Sequence, residues 1–300
     1  MSDQTRLGVR HTTLYRYESP VSASYGQICV LPRATPRQRC ESSFVFIHPQ
    51  PTDSRERVDF FGNRLGYFEL ATPHEVLSIE ATSDVLIDID RFELPSDAML
   101  RPYEASLAAL ATLDGVAETE TALYRLASPR ISLGPAVRDY ASPSFASDRP
   151  LVECITDLAA RIHHGFSFSA AATDVTSTID DLFEAGAGVC QDFAHLAVAG
   201  YRSVGLPARY VSGYLETDPP PGAPKLVGAD ASHAWASVFV PGAGWVDVDP
   251  TNNQLVDDRY ITIAWGRDYG DVAPVRGVIF SPSRATSMEV AVDVTRLASQ

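Results

Sequence analysis

Two strand-like runs separated by one short turn constrain this chain more than any other feature. Asp230-Ala231-Ser232-His233-Ala234-Trp235-Ala236-Ser237-Val238-Phe239-Val240 is interrupted by Pro241-Gly242-Ala243-Gly244, and Trp245-Val246-Asp247-Val248-Asp249 resumes the pattern. Side chains on a strand alternate between faces, and cross-strand partners in an antiparallel hairpin have a constant sum of residue numbers. His233 and Asp249 therefore share a face only if that sum is even. Val240 opposite Trp245 gives an odd sum and separates them, whereas Val240 opposite Gly244 unites them. Gly242 and Gly244 make the second closure, or a bulge, accessible. Closed that way, the hairpin sets an imidazole beside a carboxylate, which is how a base is oriented and its cation stabilised.

A nucleophile stands upstream. Gly186-Ala187-Gly188-Val189 leads to Cys190, after which Phe193, Leu196, Ala197, Gly200, Tyr201 and Val204 keep a helical rhythm until Gly205 and Pro207 stop it. Cys190 is thus expected at a helix N-terminus, where unpaired amides and the helix dipole favour an anion and promote the thiolate. The same amides suit an oxyanion. Gly188, lacking a side chain, is expected to admit a substrate close to the sulfur. A cysteine before a helix is usually packing and a strand histidine is usually structural; the case rests on Cys190, His233 and Asp249 occurring together.

Those stretches carry a resemblance. Gly188-Val189-Cys190-Gln191-Asp192-Phe193-Ala194-His195-Leu196 resembles the nucleophile motif of bacterial transglutaminase-like proteins. Ser232-His233-Ala234-Trp235 is similar to the histidine motif of that family, and Gly244-Trp245-Val246-Asp247-Val248-Asp249-Pro250-Thr251-Asn252-Asn253 to its aspartate motif. Gly205-Leu206-Pro207-Ala208-Arg209-Tyr210-Val211-Ser212-Gly213-Tyr214 is also similar. The resemblance is strongest from about Ile179 to Ala273, and the small-residue approach Glu184-Ala185-Gly186-Ala187-Gly188 departs from relatives that carry a basic residue there. It implies an α+β fold in which a papain-like core, helices on an antiparallel sheet, follows an N-terminal β domain. It also implies a catalytic triad of Cys190, His233 and Asp249. Asp247 shares a strand face with Asp249 and is its rival; the Asp-Pro-Thr context favours Asp249. Trp235 and Trp245 either wall the cleft or pack in the core. His195, five residues beyond the nucleophile, points elsewhere and reads as structural.

The rest of the chain supplies the frame. From about Leu7 to Ile89, short alternating runs such as Leu7–His11 and Ser43–Ile47 are broken by Pro32, Pro36, Pro49, Pro51, Gly62 and Pro73, which predicts an antiparallel β-sandwich-like domain over 1–92. His11, His48 and His74 are read there as structural or exposed. Residues 93–150 form a connector that packs on the domains, and 151–300 form the core. Leu151, Ile155, Leu158 and Ile162 mark an amphipathic helix, with Cys154 as a core thiol and His163-His164 at its end. Met288–Val294 alternates as a strand suited to a sheet edge.

Charge and cysteine usage narrow the function classes. With 24 basic and 38 acidic residues the net charge is −14, which argues against a nucleic-acid partner. No secretory pattern opens the sequence and no run is long enough to span a bilayer, so a soluble, cytoplasmic protein without a membrane partner is expected. Four cysteines without a CxxC pair support neither a zinc site nor, in that compartment, disulfides. No metal or organic cofactor is expected. The favoured reading is amide-bond hydrolysis of a peptide or protein substrate through an acyl-thioenzyme. A transglutaminase, with an amine as acceptor, and a non-catalytic binding module are the alternatives.

Overall fold

The N-terminal alternation does form strands, in places longer than the turn signals suggest. The computed structural model describes residues 4–89, 96–217, 231–282 and 286–298. β1 (Gln4–Val21) is followed by β2 (Ala23–Ile28), β3 (Gln38–His48), β4 (Asp53–Val58), β5 (Arg64–Leu70) and β6 (His74–Asp88). β1 runs for 18 residues and β6 for 15. β1 keeps its length because Pro20 falls where the pairing with β6 shifts register, between Arg16 and Val21, so no ladder amide is lost. Tyr17, Val21, Ile28, Phe68, Leu70 and Ile79 fill the space between the two N-terminal sheets.

Among its described residues the connector carries four short α-helices, α1 (Ser96–Met99), α2 (Tyr103–Ala111), α3 (Gly115–Ala122) and α4 (Pro135–Ala141). Its Leu110, Ile131, Val137, Ala141 and Phe145 enter the main hydrophobic core. α5 (Leu151–Gly165) buries Leu151, Cys154, Ile155, Leu158 and Ile162 on one face, as the spacing predicts. After it come β7 (Ser167–Phe168), α6 (Ile179–Ala185), β8 (Ala187–Gly188) and α7 (Cys190–Ser203). A five-stranded antiparallel sheet follows, from β9 (Ala208–Leu215), β10 (Ala231–Val240), β11 (Gly244–Asp249), β12 (Gln254–Leu255) and β13 (Tyr260–Gly266), in the order β12-β11-β10-β9-β13. The fold is α+β: α7 lies on the face of this sheet that carries Ala234, Ala236, Val238, Val246 and Val248.

The chain then returns to its beginning. After α8 (Tyr269–Val272), β14 (Val275–Phe280) pairs with β2, and β15 (Thr286–Arg296) pairs with β1 at the edge of the sheet β15-β1-β6-β3. The partition that groups 151–300 as one unit therefore cuts across two strand pairings. Leu7, Val9, Val85, Ile87, Val292 and Val294 share one hydrophobic cluster with Phe193 and Val238, so the N-terminal sheet packs directly on the core. Among the described residues no helix is long and apolar enough to cross a membrane.

Candidate active site

Val240 pairs with Gly244, and the ladder runs on through Ser237 opposite Asp247 to Ala236 opposite Val248. This is the even-sum closure, made possible by Gly242 and Gly244, both at positive φ (89° and 82°). His233 and Asp249 consequently lie on one face, and His233 Nε2 is 2.7 Å from Asp249 Oδ2. With Nε2 engaged, Nδ1 is left to meet Cys190, whose thiol hydrogen-bonds with the His233 ring. The structure thus brings together all three residues singled out in the sequence. Cys190 is the first residue of α7, and the amides of Cys190 and Gln191 have no acceptor among the described residues.

Asp249 is fully buried and its carboxylate is saturated with donors. Oδ2 accepts from Tyr260 Oη and Asn252 Nδ2, each at 2.7 Å, besides His233; Oδ1 accepts from the amides of Thr251 (2.8 Å) and Asn252 (3.2 Å). Burial alone would push this carboxyl up, but the bonds from His233, Asn252 and Tyr260 and the His233 charge outweigh it and hold it low. Burial likewise disfavours charge on His233, yet the hydrogen bonds and charges of Asp249 and Cys190 raise its pKa to about 10. That direction favours the imidazolium at neutral pH.

Two supports, Tyr260 and His163, have no spacing signal in the sequence. Tyr260 comes from β13, two strands from β10 in the sheet; Gln254 Nε2 donates to its hydroxyl at 2.9 Å, and burial beside the Asp249 charge keeps the phenol protonated. His163, at the end of α5, bonds through Nδ1 to the Thr251 carbonyl at 2.8 Å and braces the turn that follows Asp249. Asp192 caps the helix that carries the cysteine: its Oδ2 accepts from the Val189 amide (2.8 Å) and the Thr173 hydroxyl (2.6 Å). Its place three residues beyond Val189 was the available signal.

Other expectations sort by burial. Gly188 answers to a constraint of its own inside the fold: a Cβ there would meet Asp192 Oδ2 at 2.8 Å and Leu182 Cδ1 at 2.9 Å, so the cap demands glycine. Burial pushes His195 down to about 3; it is neutral and accepts from the Tyr269 amide at 3.1 Å, a structural role. His11 is similarly buried and neutral, bonded to Thr13 and Tyr214, His74 is held by Ser24 and Thr72, and His48 is exposed. Asp247 does not reach His233; its buried Oδ1 has no partner and faces a different cavity. Trp235 is buried with its ring 6.2 Å from that of His233, whereas Trp245 lines the other cavity.

Known proteins bear on this geometry. Residues 7–86 match the family model of the bacterial transglutaminase-like N-terminal region, and residues 138–250 match that of the transglutaminase-like superfamily. An uncharacterised protein of Mycobacterium tuberculosis is 44% identical over 98% of this chain and 94% of its own length. A protein-glutamine gamma-glutamyltransferase of Pseudomonas aeruginosa is 31% identical over 39% of this chain, which spans 18% of that protein. Among solved structures, a protein from Cytophaga hutchinsonii proposed to be a cysteine protease superposes with a TM-score of 0.76 over 100% of this chain and 93% of its own, at 20% identity, which speaks for the fold alone. Family models match residues 7–86 and 138–250, and a relative matches the chain nearly end to end: the chain belongs to the transglutaminase-like superfamily.

Proposed function

We propose that this protein is a cysteine amide-bond hydrolase, a peptidase or amidase, with Cys190 as nucleophile, His233 as acid and base, and Asp249 as the group that orients the histidine. The observation that carries the reading is the bonding of one buried imidazole to both the Asp249 carboxylate and the thiol heading α7. Cys190 Sγ, its proton held on His233, attacks the amide carbon and forms the C–S bond. In this reading the amides of Cys190 and Gln191 donate to the oxyanion. His233 then gives its proton to the nitrogen as the C–N bond breaks, leaving a thioester and a free amine. Water attacks the thioester carbon while His233 takes its proton; the C–S bond breaks, an acid leaves, and the proton on His233 restores the starting pair.

Water is the resolving nucleophile in this reading because Cys190 is only half-buried and a thioester there is reachable from solvent. A second reading, transamidation by an amine, is favoured by the sequence match to a glutamyltransferase. Mass spectrometry of the protein with an acyl-donor glutamine peptide, with and without a lysine analogue, separates them. The expected result is a transient adduct on Cys190 and release of free acid, both lost in Cys190→Ala. Predominant amine adduct that depends on Cys190 would replace hydrolysis by transamidation, and absence of any Cys190 adduct would remove both. A cytoplasmic location belongs to the same proposal: all four cysteines are free, as suits a reducing compartment, and cell fractionation tests it.

A further inference from the structure

The face of the five-stranded sheet turned away from α7 carries a second constellation, some distance from the cysteine. Ser237, opposite Arg209, lies four positions along β10 from His233, about 13 Å, and Phe239, two positions further, lines a cavity of about 960 Å³. This cavity lies between β9–β11, the 33–37 and 60–62 loops of the N-terminal sheets, and the connector around Tyr124. Arg209, Ser237 and Asp247 stand opposite one another in a row across three strands, and Arg209 and Asp247 line the cavity. Arg209 is only 7% exposed, yet its guanidinium has no hydrogen-bond acceptor and no ion pair among the described residues; Nε is wholly buried and unpartnered. Ser237 Oγ and Asp247 Oδ1 are buried and unpartnered beside it.

Two indoles hold this cation. The Arg209 guanidinium carbon lies 3.6 Å from the Trp265 ring centroid and 4.2 Å from that of Trp245, while the Arg33 guanidinium carbon lies 3.2 Å from Trp265. Two guanidiniums cannot occupy one ring face at such distances, so they sandwich Trp265. Stacking fixes the plane of Arg209 and leaves its N–H edge free, the fork that matches a planar oxyanion. Arg33 is partly spent, since its Nη1 donates to the Phe61 carbonyl and to Asn63. Burial makes both cations costly and pushes each down to about 10, helped by the Arg209 charge at Arg33 and by the Arg37 charge at Arg209.

We propose that this cavity binds an organic carboxylate carried on an aromatic or apolar body, with the carboxylate on Arg209. Trp245, Phe61, Phe239 and Tyr124 supply the apolar walls. Asp247 and Glu120 also line the cavity and act on Arg209, so a singly charged anion fits better than a phosphate dianion. The site is separate from Cys190, and its occupant need not be the substrate.

The experiment is ligand-observed NMR and calorimetry on the full chain at physiological salt. The probes are N-acetylphenylalanine, its uncharged amide, indole-3-acetate and inorganic phosphate. Expected are carboxylate binding with a Kd below roughly 1 mM, weak or no binding of the amide and phosphate, and a loss of about tenfold or more in Arg209→Gln. Asp247→Asn, which removes a competing charge, should tighten binding about threefold. The alkylation rate of Cys190 should stay unchanged in both variants. Equal binding of acid and amide, preference for phosphate, or carboxylate binding untouched by Arg209→Gln would overturn the proposal; so would binding of no probe, which would leave a cavity for water alone. If Arg209→Gln fails to fold, Asp247→Asn decides: no tightening counts against the site.

Discussion

At the scale of single residues, four cysteines with the same thiol meet different surroundings. Burial pushes Cys29 up to about 12 and Cys154 up to about 11, and both are shielded from reagents. Cys190 is half-buried with an imidazolium as its hydrogen-bond partner. Competitive iodoacetamide labelling of the folded protein near neutral pH is therefore expected to modify Cys190 first; faster labelling of Cys29, Cys40 or Cys154 would contradict the nucleophile assignment. The histidine makes a second prediction. A pKa raised from 6.5 to about 10 means that the stability its charge contributes is complete below about pH 6.5 and lost as pH rises toward about 10. In Asp249→Asn the charge partner is gone, so the gap in urea midpoint between wild type and variant should shrink across that window. A gap independent of pH would mean a neutral His233.

At the scale of elements, the hairpin of β10 and β11 works by parity. Both arms keep the same sequence whether their sum is odd or even; only the turn decides whether His233 meets Asp249. Inserting one glycine between Gly242 and Ala243 should shift the register or force a bulge and so separate the two side chains. The expected cost is about 10³–10⁴-fold in kcat/KM, comparable to losing the orienting carboxylate of a triad. Hydrolysis of a chromogenic amide reads the loss, and a circular-dichroism melt shows whether the fold survives. Activity retained within tenfold would mean that the pairing is not what places the histidine.

At the scale of the whole molecule, the C-terminal strands close the N-terminal sheets. β15 covers β1 through eleven registered pairs, from Leu7 opposite Arg296 to Tyr17 opposite Thr286, and buries Val292 and Val294. Because those valines belong to the cluster that holds α7, removing residues 286–300 should destabilise the entire chain. The two side chains alone account for about 3 kcal/mol or more. Differential scanning calorimetry would show one lowered transition. A truncated chain that melts like the full one would make β15 an appendage.

What was legible in the sequence was local. The period of two gave the strands, the period near 3.6 gave α5 and α7, and Gly242 with Gly244 left the even register open. Cys190, His233 and Asp249 were recognisable because each sits in a short motif whose neighbours are consecutive in the chain. Tyr260 and His163 left no such trace, since they reach the Asp249 carboxylate and the turn beyond it from other elements, and hydrogen bonds across 11 and 88 residues have no period. The packing constraint on Gly188 left no trace for the same reason: the neighbours that forbid a Cβ are Asp192 and Leu182, brought against it by folding. The pairing of β15 with β1 and the opposition of Arg209, Ser237 and Asp247 were likewise settled only when the sheets assembled. Sequence alone determined the local elements and singled out Cys190, His233 and Asp249 as candidates, because periodicity, turns and short motifs are properties of neighbouring residues; tertiary structure decided what braces them and what they face, because burial and long-range pairing exist only once distant segments meet.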